Sequence, residues 1–98
     1  MTTFFVSRHP GAVEWARRRG LTVDSWIAHL DVTKVGAGDT VIGSLPVHLA
    51  FEVCARGARY LNLSLDLPAS LRGRELDAAT LDECAVRLEE FSVMRVGA

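Results

Sequence analysis

The sequence predicts an α/β domain with helices flanking a mainly parallel central sheet. Three observations lead there. Short apolar runs alternate with amphipathic stretches in the order β-α-β-β-α-β-α-β, the pattern of strand–helix–strand units. Two of the strands, Phe4–Val6 and Thr40–Ile42, run directly into helices through the junctions Ser7-Arg8-His9-Pro10-Gly11 and Gly43-Ser44-Leu45-Pro46. The chain has 98 residues, 49% of them apolar, which is enough for one core, so residues 1–98 read as a single domain.

The first strand, Phe4–Val6, is a short apolar run that stops at a polar cluster. Pro10 and Gly11 break it, and a helix follows over Gly11–Arg19 with Ala12, Val13 and Ala16 on one face. Gly20 stands where a helix C-terminus favours glycine. Arg17, Arg18 and Arg19 form a solvated end that suits the helix dipole. Val23–Leu30 reads as the second strand, with Trp26, Ala28 and Leu30 facing one way and Ile27, His29 and Asp31 the other. Asp31–Asp39 is a short connection with room for one helical turn.

Thr40–Ile42 is the third strand. Pro46 suits the first turn of a second helix, which runs to Arg56 with Val47, Ala50, Val53 and Cys54 on its packing face and Gly57 at its end. His48, in the first turn, reads as exposed. Ala58–Leu65 is the fourth strand; Leu61, Leu63 and Leu65 alternate with Asn62, Ser64 and Asp66. A strand buried on both faces would be continuously apolar, so the polar row faces water, a partner or a site. Leu67–Glu75 is a loop carrying Arg72, Gly73 and Arg74, either a solvated turn or a phosphate contact. Asp77 or Thr80 starts a third helix, with a capping-box pattern at Thr80–Glu83 and a stripe of Leu81, Cys84, Ala85 and Leu88. Phe91–Val96 is the last strand, its direction undetermined. A flavodoxin-like strand order of 2-1-3-4-5 would set the ends of strands one and three side by side.

Composition narrows the function. Eleven Lys/Arg against twelve Asp/Glu leave a net charge of −1, which argues against a surface for duplex nucleic acid. No run approaches a membrane span and no leader pattern opens the chain, which points to the cytoplasm. Cys54 and Cys84 form no C-x-x-C pair and read as small apolar side chains. There is no G-x-G-x-x-G, no Walker lysine and no zinc-ligand spacing, so no cofactor or metal is expected.

The chemistry gathers at the two junctions. Helix starts attract anions, Arg8 offers a planar fork suited to phosphate, and His9 can move a proton near neutral pH. Histidine phosphatases carry an Arg-His-Gly turn after their first strand. Here Pro10 intervenes, and the chain is too short for that family's larger domain.

Three segments carry a different resemblance, across nearly the whole chain: Phe5-Val6-Ser7-Arg8-His9-Pro10-Gly11-Ala12, Gly38-Asp39-Thr40-Val41-Ile42-Gly43-Ser44-Leu45-Pro46, and Leu63-Ser64-Leu65-Asp66-Leu67-Pro68. Together they resemble a small family of CRISPR-associated accessory proteins that accompany type III CRISPR systems. The resemblance implies a compact Rossmann-like, CARF-like domain, related to those that sense cyclic oligoadenylates. It also implies ring-nuclease activity, which opens that messenger and switches off the antiviral response. Cyclic tetra-adenylate is the expected ligand, and a homodimer could present one crevice twice to a symmetric ring.

The site residues come from the physical reading. Arg8 would stabilise the charged phosphate, Ser7 and Ser44 would orient it, and His9 would act as acid or base. Pro10, Gly11, Leu45 and Pro46 form the helix starts, and Gly43 would allow close backbone approach. Ser64, Asp66 and Arg72 complete the candidate ligand set, with Asp66 orienting a ribose hydroxyl. The ribose 2′-hydroxyl would attack its neighbouring phosphate without metal, giving a 2′,3′-cyclic phosphate. Two other readings use the same residues differently: a non-catalytic sensor or sponge for the messenger, and a structural subunit that docks on other CRISPR proteins.

Overall fold

The computed structural model describes residues 1–97. Five strands form one sheet in the order β2-β1-β3-β4-β5, the predicted order. They are β1 (Thr3–Val6), β2 (Ser25–Ile27), β3 (Thr40–Gly43), β4 (Arg59–Ser64) and β5 (Arg87–Phe91). The first four pair in parallel, and β5 runs antiparallel to β4, with Leu63 opposite Leu88 and Tyr60 opposite Phe91. Three helices, α1 (Pro10–Arg18), α2 (Val47–Ala55) and α3 (Ala78–Glu83), complete the regular structure with 3₁₀ turns at Val32–Lys34 and Ala69–Leu71.

Successive side chains of a strand point to opposite faces, and the sheet therefore carries two cores. On one face Phe5, Ile42 and Leu63 pack with Ala12, Trp15 and Ala16 of α1 and with Ala78 and Leu81 of α3. On the other, Val41 and Tyr60 pack with Ala50 and Val53 of α2 and with Val35. Phe5, Val41 and Val53 are fully enclosed; burial of each such side chain contributes about 1.5–3 kcal/mol. The α1 stripe is Ala12, Trp15 and Ala16, with Val13 only half-buried. Trp15 can be buried because its indole N–H donates to Asp82 of α3 at 2.9 Å. Gly20, at φ 69°, turns the chain out of α1 as expected.

Three elements differ from the sequence reading. The second strand spans Ser25–Ile27 rather than Val23–Leu30. It lies at the sheet edge with β1 as its one partner, and β1 offers pairing for only four residues. The final bond of that edge runs from Ser7 N–H to the Ile27 carbonyl at 2.9 Å. Beyond it the chain turns away, and Asp31 caps the 3₁₀ turn by accepting from Thr33 N–H at 3.1 Å.

The third helix is capped by Asp77, whose carboxylate accepts from Thr80 N–H at 2.8 Å, so Thr80 lies inside the first turn rather than capping it. The helix ends at Glu83, and Ala85 adopts φ 53°. Leu88 then belongs to β5, and the last strand is Arg87–Phe91 rather than Phe91–Val96. The stripe predicted through Leu88 combined two periods: a helical one through Leu81 and Cys84, then an alternation that packs Val86 and Leu88 against the first core. On α2, Val47 was expected to pack but is 73% exposed, and the buried face of the helix is Ala50 and Val53.

Candidate functional site

The crevice forms where the topology reverses direction. From β1 the chain passes through α1 to β2 on one side, while β3 lies on the other. At the carboxyl ends of these strands lies a cavity of about 570 Å³, a position at which open α/β sheets bind ligands.

The turn after β1 supplies Ser7, Arg8 and His9. The Ser7 Oγ accepts from His9 N–H at 3.0 Å, which shapes the turn and leaves the hydroxyl proton free to donate. The turn after β3 supplies Ser44, Leu45 and Pro46. The Ser44 hydroxyl donates to the Leu63 carbonyl at 2.8 Å, so its oxygen is left as an acceptor. Leu45 N–H donates to the Tyr60 hydroxyl at 3.0 Å, and that hydroxyl lies within donating distance of the Gly43 carbonyl, at 3.2 Å, and of Asn62 Oδ1. Burial pushes the Tyr60 pKa up, which keeps the phenol protonated. Tyr60 thus ties β4 to the second junction.

Six of the predicted site residues are brought together: Ser7, Arg8, His9, Ser44, Leu45 and Pro46. The others are placed elsewhere. Pro10 and Gly11 line a second depression of about 430 Å³ between α1 and the start of α3, which adjoins the crevice through His9 and Leu76. Gly11 lets the two approach: a Cβ there would stand 1.8 Å from the Leu76 carbonyl oxygen. Gly43 allows the close approach of β1 in the same way, since its Cβ would meet the Val6 carbonyl oxygen at 2.6 Å. Ser64 accepts from the Asn62 amide at 2.7 Å on the α2 side of the sheet. Asp66 lies outside the crevice, 3.5 Å from Arg87. Arg72 is exposed on its loop and does not line the cavity.

Two ionisable residues absent from the sequence-derived set also line it, His29 and Arg74. His29 stands two residues beyond β2, next to the β1 turn, so the rule that sites gather at strand carboxyl ends could have found it. Nothing in the spacing separates Arg74 from Arg72. The walls are otherwise aliphatic, among them Val6, Leu30, Leu49, Leu63, Leu65 and Leu76.

The charge is sharply segregated. Two arginines and two histidines line the crevice and no carboxylate does, in a chain with twelve Asp and Glu. Arg18, Arg19, Arg59 and Arg87 are occupied by ion pairs, and Arg17 and Arg95 stack on Trp26 and Phe51. The side chains of Arg8 and Arg74 have no such partner among the described residues, so their donors are available to an anion.

Fold and crevice together define a small α/β protein whose mostly parallel sheet presents a cleft lined by basic side chains at its switch point. Residues 4–94 match the family model described as "Putative CRISPR-associated protein (Cas_VVA1548)". The chain belongs to this CRISPR-associated family. No curated protein and no solved structure matches it.

Proposed function

We propose that the protein is a metal-independent ring nuclease that opens cyclic oligoadenylate, with cyclic tetra-adenylate as its ligand, and so ends CRISPR antiviral signalling in the cytoplasm. Family membership supplies the biological setting. The observation that carries the reading is the charge segregation of the crevice: Arg8, His9, His29 and Arg74 with no facing carboxylate. Such a cleft favours a polyanion of modest size over a neutral metabolite. The switch-point crevice and the 2-1-3-4-5 order fit a Rossmann-like, CARF-like relative of the domains that sense such messengers.

In this reading a phosphodiester of the ring lies across the turn after β1. The guanidinium of Arg8 stabilises the charge that builds on the non-bridging oxygens as the phosphorane forms. The free Ser7 proton donates to the same group, and His9 takes part in proton transfer. The ribose 2′-hydroxyl attacks the adjacent phosphorus, the bond to the 5′-oxygen breaks, and a 2′,3′-cyclic phosphate is left. No water is consumed. The leucine-lined wall accepts the apolar face of a base. A homodimer would place two crevices about a two-fold axis matching the symmetry of the ring.

The test is to incubate the protein with a panel of labelled cyclic oligoadenylates in excess EDTA and resolve the products by chromatography. Linear products ending in 2′,3′-cyclic phosphate are expected from the tetramer. Tight binding with intact ligand at stoichiometric protein would replace the nuclease with a sponge. Failure to bind any ring would leave a structural subunit.

A further inference from the structure

Building on the ring-nuclease reading, we infer that His29 is the partner of His9 in proton transfer, the two imidazoles serving as the base and the acid of one transesterification. The argument begins with register. Strands β1 and β2 are parallel neighbours, with Val6 opposite Ile27. His9 lies three residues beyond Val6 and His29 two beyond Ile27, so both leave adjacent strands, about 4.8 Å apart, at the same end. Both line the same crevice, both are exposed, and neither imidazole has a hydrogen-bond partner among the described residues.

The rest of the lining leaves them little competition. The charged groups facing the crevice besides the two histidines are Arg8, from the β1 turn, and Arg74, from the loop before α3; His9 also borders the depression between α1 and α3, where Glu14 and Arg18 of α1 and Glu75 and Asp77 before α3 face it. Guanidinium does not give up a proton in this range. Ser7 and Ser44 carry hydroxyls that stay protonated near neutrality and are engaged in shaping their turns. Imidazole alone among these side chains exchanges a proton near neutral pH.

The step balances. One imidazole, neutral, accepts the 2′-hydroxyl proton as the new O–P bond forms. The other, protonated, donates to the 5′-oxygen as the old P–O bond breaks. The pair ends with its protons exchanged, and solvent restores the starting state.

Single-turnover cleavage of cyclic tetra-adenylate should be followed against pH for the wild-type protein and for His9→Ala, His29→Ala and, as a control, His48→Ala, which lies outside the crevice. Ligand binding and a melting curve are measured on each preparation. Wild type should show a bell-shaped profile. His9→Ala and His29→Ala should each lose about a hundredfold or more in rate, lose one limb of the bell, and keep affinity within a few fold. A ring with sulfur bridging at the 5′ position, whose thiolate leaves without a proton, should rescue one of the two variants and not the other. Wild-type cleavage rates in His29→Ala, a loss of binding with cleavage at saturation unchanged, or rescue of both variants or neither would overturn the pairing while leaving the nuclease in place. An inert wild-type protein would overturn the nuclease and the pairing with it.

Discussion

Arg8 leaves the sheet at the end of β1 and has no ion pair or hydrogen bond from its side chain among the described residues, in a chain where most other arginines are occupied. On the ring-nuclease proposal, a guanidinium left free beside the crevice suits a transition-state contact. Because Arg8 is exposed and takes no part in either core, Arg8→Ala should leave the melting temperature close to that of the parent. If the contact strengthens as charge develops, turnover should fall more than affinity, on the order of a hundredfold in single-turnover cleavage. Arg8→Lys should recover part of the rate, because an ammonium cannot reproduce a bidentate contact. Normal cleavage by folded Arg8→Ala protein would remove this residue from the site.

At the scale of elements, the two junctions depend on strands that do not carry them. Tyr60, on β4, holds the Gly43–Pro46 turn through its hydroxyl, and Leu63, also on β4, holds Ser44. Tyr60→Phe keeps the packing but leaves Leu45 N–H without its acceptor. An unsatisfied group of this kind costs about 1–3 kcal/mol, and chemical denaturation should show a loss in that range. Since the freed turn carries Ser44 into the crevice, the proposed cleavage should also slow relative to binding; unchanged stability and rate would show that the turn holds its shape without Tyr60. This dependence also marks the limit of sequence reading. The junctions at Ser7–Gly11 and Gly43–Pro46 were legible because their breakers and polar residues are local; the alternation of strands and helices pointed to a mainly parallel sheet, and the strand order came from the analogy with flavodoxin-like folds. The length of β2 was not legible, because β1 sets it. The end of α3 was not either, since Leu81, Cys84 and Leu88 keep helical spacing while β5 claims Leu88. Arg74 enters the crevice through the same kind of long-range placement.

Over the whole molecule, carboxylates serve as fasteners between elements. Asp39 accepts from Thr2 N–H and Gly36 N–H at 2.8 and 2.9 Å, joining the N-terminus to the loop before β3. Asp82 accepts from Arg19 and Trp15 and joins α3 to α1. Glu90 pairs with Arg59 across β5 and β4 at 2.7 Å. Asp77 caps α3, and Asp31 caps the turn after β2. Hydrogen bonds to Arg59 hold Glu90 below the usual carboxylate value of 4.5. Bonds from Thr33, Gly36, Thr80 and Arg19, in turn, hold Asp31, Asp39, Asp77 and Asp82 below 3.8. The folded chain therefore binds protons less readily than the unfolded one in this range. Stability is fully present above the unfolded values and is lost as pH falls through the lower, folded ones. Four of the groups are exposed and Asp39 is half-buried; screened by solvent, each alone contributes little, but they titrate together. The melting temperature should stay level from neutrality down to about pH 5 and decline progressively below about pH 4. Asp39→Asn should melt lower at neutral pH and show a shallower acid decline, since one of the titrating fasteners is gone. A melting temperature constant down to about pH 3 would show that these bonds do not couple to folding. Because none of the five carboxylates lines the crevice, the same acid titration should leave the proposed binding of cyclic tetra-adenylate per folded molecule unweakened, while added salt, which screens Arg8 and Arg74, should weaken it.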